Sequence, residues 1–342
     1  MPTNPAGTAF PAPYLLFLGD TTEPGYAKTA FGLRDWAADR CIGEFSLLEA
    51  RVRTGLPQLT PAEAHARGAR SLVIGVANAG GVIPASWMPA LLDALEQGLD
   101  IVSGLHTRLV DIAPLSEAAG RLGRRLIDVR TPPQGIKVAD GTRRAGRRLL
   151  TVGTDCALGK KYTALAIARG MRERGVDAIF RATGQTGIMI AGEGVPIDAV
   201  VSDFIAGAAE MLSPAAAPDH LDVIEGQGSI FHPAYAGVSL GLLHGSQPDL
   251  FVVCHSPGRT AVLGHPEFAL PSIEAVIEVT VALGQLTNPA IRCAGISLNT
   301  SDLDPEAAEA VLAETEARVK LPAADPIRGG DRFERLLDAC TQ

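Results

Sequence analysis

LLTVGTDCALGKKYTALAIA, residues 149–168, reads in succession as a buried strand, a glycine-bearing loop and an amphipathic helix. The apolar run at 149–152 suits a strand covered on both faces, and the Ala-rich run behind it repeats its apolar residues at helical spacing. A loop held between such a strand and such a helix is the context of a phosphate-binding loop. Gly153 and Gly159 let the backbone curl, so that the N–H groups of Thr154, Asp155, Cys156, Ala157 and Leu158 and the helix N-terminus turn toward an oxyanion. Lys160 then reaches over the phosphates, and Lys161 and Tyr162 complete the first helical turn.

The loop departs from the usual G-x-x-x-x-G-K-[ST] pattern twice. Thr154 stands at the first glycine, and Lys161 replaces the hydroxyl residue that binds magnesium. Thr163 substitutes for that hydroxyl only if the helix register shifts. An extra cation in place of a metal ligand suits a ligand with bare phosphates. The loop therefore predicts a nucleotide-like diphosphate that is bound without being hydrolysed.

Outward from this stretch, short Val, Ile and Leu runs alternate with Ala-rich helical patterns, the signature of parallel sheets covered on both faces. Strands are expected at 15–18, 71–77, 101–103 and 126–129, with helices at 61–67, 84–97 and 114–124. Several of these helices start on Pro, which tolerates the first turn because its missing N–H has no partner there. The pattern breaks at TPPQGIKVADGTRRAGRR and resumes with strands at 149–152, 178–182, 222–224, 250–254 and 291–298. Helices are expected at 160–173, 197–211, 234–243, 273–283, 305–316 and near 332–339. The expected architecture is a Rossmann-like N-terminal domain, 1–140, followed by a P-loop NTPase-like, doubly wound parallel-sheet domain, 141–342.

Composition agrees with this picture. The chain has 342 residues, 46% hydrophobic and 20% charged, which excludes a disordered or collagen-like polymer. Residues 1–145 hold 15 basic and 14 acidic side chains and the remainder 15 and 24, so the net charge of −8 divides into +1 and −9. Such an acidic chain argues against a nucleic-acid partner. Cys41, Cys156, Cys254, Cys293 and Cys340 are scattered without any C-x-x-C pair and read as reduced thiols. No apolar run reaches the roughly 18 residues of a membrane span, and the N-terminus lacks a basic signal-peptide region. A cytoplasmic protein is expected, with a symmetric homo-oligomer as the prior state.

The string Gly153-Thr154-Asp155-Cys156-Ala157-Leu158-Gly159-Lys160 resembles the GTDTGVGK loop of dethiobiotin synthetase, and Val223-Ile224-Glu225-Gly226-Gln227-Gly228 resembles the VEGAGG turn of the same enzymes. That likeness implies a related domain fold, with the glutamate beside the phosphates. Taken whole, the chain is similar to a different group. The doubled lysine, the run Arg181-Ala182-Thr183-Gly184-Gln185-Thr186-Gly187, the run Ser202-Asp203-Phe204 and Glu225-Gly226-Gln227-Gly228-Ser229 resemble the bacterial family, long labelled as of unknown function, that includes the DgcN-type D-glutamate N-acetyltransferases. This resemblance covers nearly the full length. It implies acetyl transfer from acetyl-CoA to the amine of an acidic amino acid, D-glutamate, at the entry to D-glutamate catabolism. CoA carries a diphosphate and needs no metal for aminolysis, in keeping with the loop.

Acetyl transfer needs a base, oxyanion donors and cations for the substrate carboxylates. Glu225, at the end of a central strand with glycine behind it, is the first candidate for the base. Asp203 is a second carboxylate, with a helix cap as its ordinary role. His232 and His255 follow strand ends and are candidate proton shuttles. Asp155, beside an anion, orients a lysine or holds a metal; no dedicated metal site is expected. Arg181 and Arg259 offer bidentate forks to carboxylates, Gln185 and Thr186 lie in a glycine-bearing loop, and Lys28 stands after the first strand. No G-x-G-x-x-G accompanies that strand, so NAD is not expected. Cys156 has no histidine near it in sequence and reads as an incidental thiol. The competing readings are an ATP- and magnesium-dependent carboxylate ligase or kinase of the dethiobiotin synthetase type, and a nucleotide sensor without turnover.

Overall fold

The computed structural model describes residues 10–341 and forms two compact α/β units. The first takes the chain up to Pro133 and then Gln185–Pro196; the second takes Gln134–Gly184 and everything from Ile197 onward.

The first unit is built on a parallel sheet in the order β2-β1-β3-β4-β5: β1 Tyr14–Gly19, β2 Cys41–Ser46, β3 Ser71–Ile74, β4 Asp100–Ser103 and β5 Leu126–Asp128. Four helices, α1 Lys28–Trp36, α2 Pro61–Ala66, α3 Met88–Glu96 and α4 Ala113–Leu122, connect its strands. Leu15, Phe17, Leu72, Ile74 and Ile101 from the strands pack with Leu91, Leu95 and Leu115 from the helices in one core. Burying each such side chain contributes about 1.5–3 kcal/mol, which is why the apolar runs become central strands. Helix α2 starts where Thr60 and Glu63 form a capping box and Pro61 opens the first turn.

The second unit has a six-stranded parallel sheet in the order β13-β12-β9-β6-β8-β7. Its strands are β6 Arg147–Gly153, β7 Ala178–Arg181, β8 Leu221–Ile224, β9 Leu250–His255, β12 Arg292–Leu298 and β13 Ala323–Ala324; β10 Ala261–Val262 and β11 His265–Ala269 form a separate hairpin. The later helices are α5 Lys160–Glu173, α6 Gln185–Ala191, α7 Ile205–Leu212, α8 Ala236–Ser246, α9 Ile273–Gly284, α10 Pro305–Val319 and α11 Gly330–Thr341. Strand β6 is central, with β8 and β9 as its neighbours, so the loop behind it opens at the carboxyl edge of the sheet, where ligands of open α/β sheets collect.

Three local expectations are corrected. The single helix at 84–97 is a 3-10 turn, Ala85–Trp87, followed by α3, because Pro89 has no N–H with which to continue a ladder. The helix at 197–211 is two 3-10 turns, Ile197–Ala199 and Ser202–Phe204, before α7; its opening Val, Asp and Ser residues disfavour a regular helix. The glycine-bearing segment behind Thr183 is not a loop but α6, which belongs to the first unit: Thr186 Oγ1 bonds Thr29 Oγ1 on α1 at 2.9 Å.

Candidate functional site

Strand β6 delivers Gly153 beside Cys254 of β9, and α5 begins seven residues later at Lys160. Gly159 holds the N-cap at φ 102°, a left-handed conformation that glycine adopts without strain, and offers no side chain to cap the helix. The amides of the first turn of this 14-residue helix thus keep their donor capacity at its positive end. That is the physical basis of an anion site.

Lys160 is buried, and its Nζ donates to the Asp155 carbonyl at 2.7 Å. Burial pulls its pKa down, against the opposing pull of Cys156, Cys254, Asp155 and Glu225. Its stem crosses Gly226, where a Cβ would lie 3.2 Å from the lysine Cδ and only 1.6 Å from the Thr151 carbonyl oxygen. Only glycine permits that approach of β8 to β6, and Gly226 N donates to Thr151 Oγ1 at 2.9 Å. Thr163 points away from the loop, sharing a 2.7 Å hydrogen bond with Ser297. No register shift brings it into the place of the absent magnesium hydroxyl. Lys161 stands 5.0 Å over the Tyr162 ring.

Asp155 is fully buried and its carboxylate is occupied: Oδ1 accepts from Cys156 N (2.6 Å), and Oδ2 from Leu263 N (2.8 Å) and Arg259 Nη1 (3.1 Å). Arg259 also donates to the Cys156 carbonyl at 2.8 Å. The segment behind β9 is therefore strapped to the loop by a guanidinium and a backbone amide. His232, buried, stands with Nε2 3.9 Å from Asp155 Oδ1. Its Nδ1 accepts from Ala234 N at 3.1 Å, so the neutral ring carries its hydrogen on Nε2. Burial lowers its pKa, favouring that neutral ring. Asp155, Cys156 and His232 offer atoms within 4.8 Å of one another, but the carboxylate is already engaged by three donors and Nε2 of the neutral ring carries its hydrogen. The histidine beside Cys156 comes from 76 positions along the chain and has no local signal.

Glu225 closes the other side of the loop. It is 4% exposed, and its Oε2 accepts from Thr183 N (3.0 Å) and Gly184 N (3.1 Å) while Thr183 Oγ1 donates to its carbonyl at 2.6 Å. Burial raises its pKa; the Lys161 charge and the two amides act against that rise. Gln227 Nε2 donates to Thr183 Oγ1 at 3.0 Å. His255, at the end of β9, has Nδ1 3.0 Å from Thr154 Oγ1, and burial, with the Arg318 and Arg259 charges, lowers its pKa.

Lys160, Glu225, Asp155, His232, His255 and Arg259 thus gather around one loop. The remaining candidates stand elsewhere. Arg181 Nε donates to buried Asp222 at 2.6 Å, in an ion pair within the sheet that also engages His220. Asp203 is exposed on its 3-10 turn, with no polar contact to the loop among the described residues. In the first unit, Gln185 lies between the Gly104 carbonyl and Arg130 (2.7 and 3.2 Å with its amide turned to suit both), Thr186 bonds Thr29, and Lys28 is exposed at the start of α1. The Leu263 amide went unrecognised because a backbone donor leaves no mark in a sequence.

A family model described as a domain of unknown function (DUF1611_C) P-loop domain matches residues 137–337, and one described as a domain of unknown function (DUF1611_N) Rossmann-like domain matches residues 44–132. A protein of Tritonibacter scottomollicae named D-glutamate N-acetyltransferase is 50% identical over 96% of this chain and 98% of its own length. One of a Pseudoalteromonas species with the same name is 48% identical over 93% and 96%. The crystal structure of a DUF1611 family protein from Anabaena variabilis superposes with a TM-score of 0.85 at 34% identity, covering 95% of this chain and 98% of that one. Among the described residues no helix is long and apolar enough to cross a membrane.

Proposed function

The chain belongs to the DUF1611 family, and we propose that it is an enzyme transferring an acetyl group from acetyl-CoA to the amine of D-glutamate. The observation that carries this reading is the 50% identity, over nearly the whole of both chains, to a D-glutamate N-acetyltransferase. The uncapped first turn of α5, with Lys160 and Lys161, supports a diphosphate-bearing donor, and Thr163, turned to Ser297, supports one that needs no magnesium.

In this reading Glu225 accepts a proton from the substrate ammonium. Its Oε2 is held by two amides. The freed amine attacks the thioester carbonyl, the C–N bond forms, the C–S bond breaks, and the CoA thiolate leaves to take up a proton. The proton it takes up is the second one shed by the acylated nitrogen; His232, with Nε2–H, is a hydrogen-bond donor to the departing sulfur, and His255 is a proton shuttle. Arg259, steered by Asp155, is assigned to a substrate carboxylate. The same reading sets the enzyme in the cytoplasm, where acetyl-CoA is used, as a symmetric homo-oligomer.

Calorimetry separates this from an ATP-dependent ligase. Saturable binding of acetyl-CoA and CoA without magnesium is expected; tight, magnesium-dependent ATP binding with none for CoA overturns the reading.

A further inference from the structure

Away from the phosphate loop, three turns of the first unit share a sequence pattern: Gly68-Ala69-Arg70, Gly98-Leu99-Asp100 and Gly123-Arg124-Arg125. Each turn ends a helix and places a charged residue two positions behind its glycine, at the amino edge of the sheet. The strands are neighbours: Ser71 pairs with Asp100, and Ile101 with Leu126. Arg70, Asp100 and Arg125 therefore stand in a row, joined by Asp100 N donating to the Arg70 carbonyl at 2.9 Å. Around them lies a cleft of about 460 Å³, with His65 and Arg124 also in its wall.

Asp100 is buried and neutralises one arginine, its Oδ1 accepting from Arg125 N (2.9 Å) and its Oδ2 from Arg125 Nε (2.8 Å). Arg124 Nη1 is anchored on the Gly98 carbonyl at 3.0 Å, leaving other guanidinium donors unused by that bond. Among the described residues the Arg70 guanidinium has no hydrogen-bond or ion-pair partner, while its backbone is pinned to Pro13 and Asp100. Three arginines against one carboxylate leave a local charge of +2, held on backbone that the sheet fixes. Arginine forks arranged this way match paired oxygens, and the volume lies within the range of small-molecule sites.

We infer that this cleft of the Rossmann-like unit binds a small dianion, a dicarboxylate or a phosphate, at a site separate from the phosphate loop. The inference stands on the first unit alone and does not depend on the acetyl-transfer reading.

The test is calorimetry at fixed ionic strength, with succinate and inorganic phosphate as separate probes, on the full chain and on the double variant Arg70→Gln/Arg124→Gln. Both side chains are at the surface. A saturable site for at least one probe is expected, weakened tenfold or more in the double variant and largely recovered in Arg70→Lys/Arg124→Lys, with acetyl-transfer rates unchanged. The probe that binds identifies the oxyanion class. Identical isotherms in parent and double variant, or only weak non-saturating heats, overturn the site.

Discussion

In the proposed reaction the base is Glu225, a buried carboxylate. A buried base is fully ionised only above its raised pKa, so kcat/KM should fall as pH drops, with its acidic limb above the ordinary glutamate range near 4.3. Glu225→Gln keeps the size and both amide contacts and removes the base: kcat is expected to fall about 10²–10⁴-fold with little change in the KM for acetyl-CoA. Steady-state kinetics across pH checks both statements, and an unshifted limb or an active Gln variant rejects the assignment. Gly226→Ala forces a methyl into the Thr151 carbonyl and should cost about 1–3 kcal/mol or more, read as a lower denaturation midpoint. Lys160 and Glu225 were legible in the sequence because each stands beside glycine at an element boundary, the first opening a helix behind Gly159 and the second following a strand before Gly226. The partners of Arg181 and Arg259 were not, since a guanidinium's choice between a ligand and a protein carboxylate depends on which strands are neighbours.

At the scale of elements, β6, the loop and α5 form the frame, and the strap from Arg259 to Leu263 fastens the segment behind β9 to it through Asp155. Asp155→Asn removes the charge that holds Arg259 and weakens the acceptor of Leu263 N. The KM for acetyl-CoA is then expected to rise about tenfold or more, and limited proteolysis to cut first between residues 256 and 264; an unchanged cleavage pattern speaks against the strap. The frame was readable because a short continuous apolar run gives way, behind the glycine loop, to apolar residues at helical spacing. Helix α6 was not: Gly184 and Gly187 flank Gln185 and suggest a turn, whereas Ile188, Met189 and Ile190 are buried and make a helix of it.

The whole molecule is two units whose chain does not divide at one point. The Pro-, Gly- and Arg-rich break near residue 133 marks the main change of unit, but Gln185–Pro196 returns to the first one. A fragment starting at Gln134 therefore carries α6 without α1, and its buried apolar residues become exposed. Such a fragment is expected to aggregate, whereas one in which 185–196 is replaced by a short Gly/Ser linker should stay in solution; light scattering of both decides. Net charge, too, misleads when read only as a total. The −8 argues against a polyanion, yet it conceals two cationic places, the lysine pair at α5 and the arginine row of the first unit. The most direct test of the central claim is incubation of the purified chain with acetyl-CoA and D-glutamate, following free thiol and N-acetyl-D-glutamate together. Equal amounts of both, without ATP or magnesium and with at least a tenfold loss in Lys160→Ala, is the predicted result; no product, or product only with ATP, contradicts it.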